Sequence, residues 1–132
     1  MKIVADTNLL VRLAVDDDPI QTRLAARTVM EAEAVIVGLH ALCEMVWVLR
    51  TRYRFSKAQI VLAIEDLCGV ENVIVDKAAV DAGLEAMRSG ADFADCVIAH
   101  EGRTAGGDVF VSFDEKAVAA IAKQGWKARL LA

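Results

Sequence analysis

Asp6, Glu44, Asp95 and Asp114 are scattered along the chain, yet each stands within or beside an apolar segment. A fold that lays those segments side by side would gather the four acids into one pocket. Clustered carboxylates are hard oxygen donors, suited to Mg²⁺ or Mn²⁺. Such a cation stabilises charge on phosphate oxygens and lowers the pKa of a bound water, the two requirements of phosphodiester hydrolysis near neutral pH. The pattern therefore points to a metal site for phosphate chemistry, with in-line attack of hydroxide on phosphorus.

The elements around the acids sharpen this reading. Asp6 closes the run Lys2-Ile-Val-Ala-Asp6-Thr7-Asn8, a short apolar stretch that reads as a buried strand ending in an acid and two small polar residues. In open α/β sheets ligands bind beyond the carboxyl ends of strands. Asp114 repeats the arrangement in Asp108-Val-Phe-Val-Ser112-Phe-Asp114. Glu44 stands in Val37-Gly-Leu-His-Ala-Leu-Cys-Glu-Met-Val-Trp-Val-Leu49, which reads as a buried helix because it is apolar all round. An unpaired carboxylate there would cost several kcal/mol, so it should be paired or coordinating a cation. Arg50 and Arg52 lie at the wrong helical spacing to pair with it. Asp92 and Asp95, three residues apart, should share one helical face near its N-terminus.

A structural role competes with the functional one at each acid, because Asp is a favoured helix N-cap and acids are stabilised in a first turn. Capping suffices to explain Asp92 and accounts for Asp114 as well as metal binding does. Asp6 and Glu44 are better explained by function, one by its strand-end position and the other by its apolar surroundings.

Other polar groups are less informative. Arg50-Thr-Arg52-Tyr-Arg54-Phe-Ser-Lys57 concentrates cations and two rings after the Glu44 helix, a patch able to grip phosphates and stack on an unpaired base. Cations are equally at home in a last helical turn. The patch matters because the net charge of −4 would repel a polyanion at long range. His40, one turn before Glu44, reads as a partly buried, hydrogen-bonded histidine, and His100 as facing away from Asp95. Cys43, Cys68 and Cys96 form no C-x-x-C pair and read as buried thiols of a reducing compartment. Trp47 and Trp126 read as core or interface residues, and Gly106-Gly107 as a loop, since no Walker-type lysine follows.

These side chains must be positioned by alternating elements. The pattern predicts strands at 2–5, 34–37, 72–75, 109–112 and 127–130. Helices are predicted at 19–32, 40–53, 57–68, 77–88, 92–103 and 115–123. Such alternation implies a parallel sheet with helices on both faces. Ser56 to Gln59 forms a capping-box signature at the start of one helix. A length of 132 residues with 56% hydrophobic content suits one domain spanning 1–132. No apolar run approaches the roughly 18 residues of a membrane span, and no signal pattern opens the chain, so a cytoplasmic location is expected. Trp47, Val48, Ile60, Val61 and Ile64 offer more apolar surface than one small sheet needs, which points to a homodimer seam.

The sequence resembles PIN-domain ribonucleases, specifically the VapC-type toxins of bacterial toxin–antitoxin pairs. The resemblance covers essentially the whole chain and rests on Ile3-Val-Ala-Asp6-Thr7-Asn8, on Glu44 within a helix, on Asp92-Phe-Ala-Asp95-Cys-Val-Ile-Ala99 and on Val111-Ser-Phe-Asp114, in that order and spacing. It implies a three-layer α/β/α fold with a central, mainly parallel sheet. It places Asp6, Glu44 and Asp95 on the core acids and Asp114 on a more variable fourth. Thr7 and Ser112 fall on small polar positions that support the site, with Asn8 beside them, and Asp92 takes a secondary role. Cys43 and Cys96 depart mildly, standing where small or aliphatic residues are more usual.

The activity so implied is Mg²⁺- or Mn²⁺-dependent endoribonuclease cleavage of transfer RNA or another structured RNA, leaving 5′-phosphate and 3′-hydroxyl ends. The implied partners are a VapB-type antitoxin and a second copy of the chain, in a heterotetramer or larger complex. Antitoxin or RNA would meet Arg50, Arg52, Arg54 and Lys57. Two rivals stand beside this reading. One is a catalytically silent chain that only binds an antitoxin or another protein. The other is a phosphatase or phosphotransfer domain, which fits poorly because no D-x-D follows the first strand.

Overall fold

The computed structural model describes all residues, Met1–Ala132, and the chain forms two compact units, Met1–Asp76 and Lys77–Ala132.

The first unit begins with β1 (Lys2–Ala5) and α1 (Thr7–Ala14), followed by α2 (Pro19–Glu31) and β2 (Ala34–Val37). It continues with α3 (Leu39–Thr51), α4 (Lys57–Cys68) and β3 (Val73–Ile74). The three strands pair in parallel in the order β1-β2-β3, with Ile3 opposite Val35 and Val35 opposite Val73. Parallel neighbours need a crossover, which helix pairs supply here. Alternate residues point to opposite faces, so Ala5, Val35, Val37 and Val73 are buried on one side. The other side carries Val4, 79% exposed, and Ile74, 53% exposed. The expectation of a fully buried first strand is therefore corrected. β1 is an edge strand, and only one of its faces is covered.

Helix α1 lay in a stretch that periodicity left unassigned. Its eight residues are started by the Asp6 cap, bury only Leu10 and Val11, and stop at Val15. After Asp16 and Asp17, Asp18 caps α2 and Pro19 opens it, a favoured pairing because the proline lacks an N–H that would otherwise be orphaned. Ser56 and Gln59 form the expected capping box on α4, with reciprocal bonds of 3.2 and 2.8 Å. Ile60 and Ile64 are buried within this unit, whereas Trp47 and Leu62 are each 59% exposed. The two isoleucines expected at a dimer seam are thus committed to the core.

The second unit comprises α5 (Lys77–Arg88), α6 (Phe93–Thr104), β4 (Phe110–Ser112), α7 (Glu115–Lys123) and β5 (Ala128–Leu130). β4 and β5 form a parallel pair joined through α7, with Phe110 opposite Ala128. α5 and α6 pack closely because Gly83 carries no side chain: a Cβ there would lie 2.6 Å from the Phe93 ring. Ala86, Ala91, Cys96, Ala99, Ala120 and Ile121 form the core, with Phe110 and Trp126 against it. The α/β class and the parallel pairing expected of the sequence hold throughout, with three strands in one sheet and two in the other.

Candidate functional site

In the first unit, Asp6 follows directly on β1, at the carboxyl end of an edge strand. Its backbone is extended and its carboxylate accepts a hydrogen bond from Leu9 N at 3.0 Å, capping α1. Thr7 opens that helix, and its hydroxyl donates to Glu44 Oε2 at 3.3 Å. The other Glu44 oxygen lies 2.6 Å from His40 Nε2, one helical turn away. Thr7 therefore ties the strand end carrying Asp6 to α3. Asn8 is exposed on α1.

Two expectations change here. The Glu44 side chain is 52% exposed and that of His40 is 91% exposed. Helix α3 is amphipathic after all: Leu42, Met45, Val46 and Leu49 bury one face, and Glu44 lies off it. The cost of a buried charge therefore does not explain Glu44, and His40 is a surface partner rather than a partly buried residue.

In the second unit, Asp114 lies two residues past β4 and accepts from Lys116 N at 2.9 Å and Ala117 N at 3.2 Å, capping α7. Ser112 supports this turn, its hydroxyl oxygen accepting from Asp114 N at 3.0 Å. Asp92 occupies the N-cap position of α6, but its carboxylate makes no capping hydrogen bond. The capping role assigned to Asp92 from sequence is thus overturned. Its extended backbone begins the helix, and its carbonyl accepts from Asp95 N at 3.2 Å. Asp95 lies in the first turn of α6 and is half-buried. Loss of water around it pushes its pKa above the usual carboxylate value, and the charges of Asp92 and then Asp114 push the same way. Two further acids of this unit therefore act electrostatically on Asp95. Neither unit by itself brings three or more His, Cys, Asp or Glu side chains together as a ligand set.

The basic segment after α3 is exposed at Arg50, Arg52, Arg54 and Lys57. Both of its rings have partners within the first unit. Tyr53 receives a hydrogen bond from Arg12 at 2.6 Å and donates to Asp17 at 3.2 Å, while Arg12 also pairs with Asp17. Phe55 lines an apolar groove of about 460 Å³ with Leu10, Leu13, Met30 and Leu62. Nothing in the periodicity marks the Arg12–Asp17–Tyr53 network, because its members are joined by the chain's path rather than by spacing. Cys96 is fully buried, and its thiol is pushed up to about 11 by burial and by nearby Asp95. Cys43 and Cys68 are half-buried. His100 stacks on Trp126.

A family model for the PIN domain matches residues 3–124. The chain belongs to the PIN-domain family. This PIN domain is also similar to the crystal structure of Mycobacterium tuberculosis VapC20, a Sarcin-Ricin loop cleaving toxin. The two share 20% identity over 91% of this chain and 95% of that one, with a TM-score of 0.44. No curated protein sequence matches the chain. No helix is long and apolar enough to cross a membrane.

Proposed function

We propose that this PIN domain is a divalent-metal-dependent endoribonuclease, the toxin of a VapC-type toxin–antitoxin pair, with the whole chain acting as one domain. The observation that carries the reading is the PIN-domain match over residues 3–124, and the half-buried Asp95, whose pKa is raised by lost water and by the charges of Asp92 and Asp114, supports it. The oxygen-only donor set of Asp6, Glu44, Asp95 and Asp114 suits Mg²⁺ or Mn²⁺ and would hold it. When bound, the cation would offset charge on the phosphate and make water more acidic.

The chain's own residues do the rest. Thr7 steadies Glu44 by its hydrogen bond, and Ser112 fixes the turn from which Asp114 emerges. His40, open to solvent, pairs with the other oxygen of Glu44 and helps to orient that carboxylate. Arg50, Arg52, Arg54 and Lys57 supply phosphate contacts to an RNA strand or to an acidic antitoxin segment. Structured RNA such as transfer RNA is the proposed substrate, cut to 5′-phosphate and 3′-hydroxyl ends in the cytoplasm. A VapB-type antitoxin and a second copy of the chain are the proposed partners, with Trp47 the exposed apolar residue for the dimer seam.

One observation favours a silent, protein-binding role instead: Asp6 and Asp114 both cap helices, which gives each a structural reason to be present. Sequencing RNA 5′-phosphate ends after brief expression of this chain, beside its Asp6→Asn variant, separates the two. Discrete new ends that vanish in the variant establish the nuclease. Identical end maps from two folded proteins point to the silent role or to a nuclease whose RNA the host lacks.

A further inference from the structure

The second unit contains a cleft of about 400 Å³ bounded by α6, the loop that follows it, β4 and the turn before β5. Its central feature is Trp126, half-buried and packed against the core of the unit. The Arg103 guanidinium carbon lies 4.7 Å from the Trp126 ring centroid. His100, one turn earlier on the same helix, stacks on the ring at 5.6 Å and 28°. A ring so fixed is a rigid platform. A guanidinium laid over it keeps its in-plane N–H donors free to meet anionic oxygens.

The loop after α6 packs tightly against that helix. Gly107 lies so close to α6 that a Cβ there would come within 3.0 Å of the Gly102 carbonyl oxygen. Lys127, exposed and adjacent to Trp126, adds a second cation to the lining. The volume falls within the range of small-ligand sites, roughly 300 to 1,000 Å³. Two cations beside a clamped aromatic ring match the two halves of a nucleotide, a stacking face and a phosphate.

We propose that this cleft binds an unpaired nucleotide of an RNA strand, its base against the Trp126–Arg103 stack and its phosphate at Arg103 and Lys127. The inference rests on the nuclease reading and adds a substrate contact distinct from the acids and from the segment after α3. Asp108, the one acid in the lining, would accept from the N–H groups of a base edge rather than contact phosphate.

The test uses the full chain carrying Asp6→Asn, to prevent cleavage, and Trp47→Phe, which leaves Trp126 as the only tryptophan. An unstructured RNA hexamer is titrated in chelator at low salt while indole fluorescence is followed, and its total binding is read by anisotropy of a labelled copy. Saturable quenching is expected, weakened about tenfold when Arg103 and Lys127 are both changed to Ala, with Lys127→Ala alone giving an intermediate loss. Binding of the hexamer without quenching, or quenching with the same affinity in both Ala variants, overturns the proposal. The nuclease reading fails separately. Quenching by the hexamer, with no cleavage of transfer RNA by the chain bearing Asp6 in Mg²⁺, keeps the cleft and counts against the nuclease, whereas cleavage without quenching does the reverse.

Discussion

Replacing Asp95 by Asn should make the metal-free protein more stable, not less. Asp95 sits in the first turn of α6, where the helix dipole favours a negative charge by about 0.3 to 1 kcal/mol. Opposing this are partial loss of water and the charges of Asp92 and Asp114. The raised pKa shows that the opposing effects win. A carboxyl whose pKa is higher in the folded than in the unfolded state binds its proton more tightly when folded. Stability therefore falls as pH rises from the ordinary value of 3.8 through the folded one, and the penalty is fully present at neutral pH. Asparagine keeps the shape and removes the charge. The expected gain at pH 7 in low-salt buffer with chelator is about 0.5 kcal/mol, or a melting point higher by about 2 °C. Near pH 3 the gain should vanish, because the wild-type carboxyl is then protonated in both states. Millimolar Mg²⁺ should stabilise the wild type and leave the variant unmoved, since only a carboxylate supplies the ligand charge. Thermal unfolding followed by circular dichroism at both pH values, with and without Mg²⁺, provides the check. A variant less stable at pH 7 in chelator, or a difference that ignores pH, would refute the account of Asp95 as a strained acid.

Asp6→Asn and Asp6→Ala should both abolish cleavage, but only Ala should lose the α1 cap, lowering stability by about 1 kcal/mol in urea unfolding. Gly83→Ala should destabilise the second unit by about 1 to 3 kcal/mol, because its Cβ meets the Phe93 ring at 2.6 Å; an unchanged denaturation midpoint would contradict the close α5–α6 packing. Cys96, buried and with its pKa pushed up to about 11, should resist iodoacetamide at pH 8 in the folded protein and react once the chain is unfolded in urea, as mass spectrometry of the alkylated peptide would show. Changing Arg52 and Arg54 together to Ala should weaken RNA binding and flatten its salt dependence, with the slope of log K against log salt smaller by about 1 to 2; the same slope in both proteins would move the RNA path elsewhere.

Much of the fold could be read from the chain because local signals agreed with each other. The 34–37 strand and the helices at 57–68, 77–88 and 115–123 coincide with the structure, the first of these helices starting at a capping box whose two bonds form as its sequence implies. Helix α1 escaped because eight residues with two buried side chains give too short a period to stand out, and only the Asp6 cap announces it. The acids were legible as positions and less so as environments. Burial of Glu44 was inferred from an average over its segment, whereas the structure depends on which face each residue takes. Leu42, Met45, Val46 and Leu49 claim the inward face, and Glu44 is left in solvent. At Asp92 and Asp114 the capping rule, applied to residue type alone, could not distinguish a carboxylate turned to its helix from one turned away. The Tyr53 hydroxyl is held by Arg12 and Asp17 from a distant part of the chain. No local pattern encodes such a partnership.

The cap that Asp6 supplies to α1 bears on how this protein could lose the proposed activity. A single base change converts an aspartate codon into an asparagine codon, and asparagine caps a helix as well as aspartate does. The shortest mutational path away from catalysis thus passes through a chain that still folds and keeps its surfaces. Populations under pressure to silence the enzyme would accumulate inert but intact copies. Such copies would continue to occupy whatever partner binds the active form, so the cap on α1 makes a quiet, competing twin one nucleotide away.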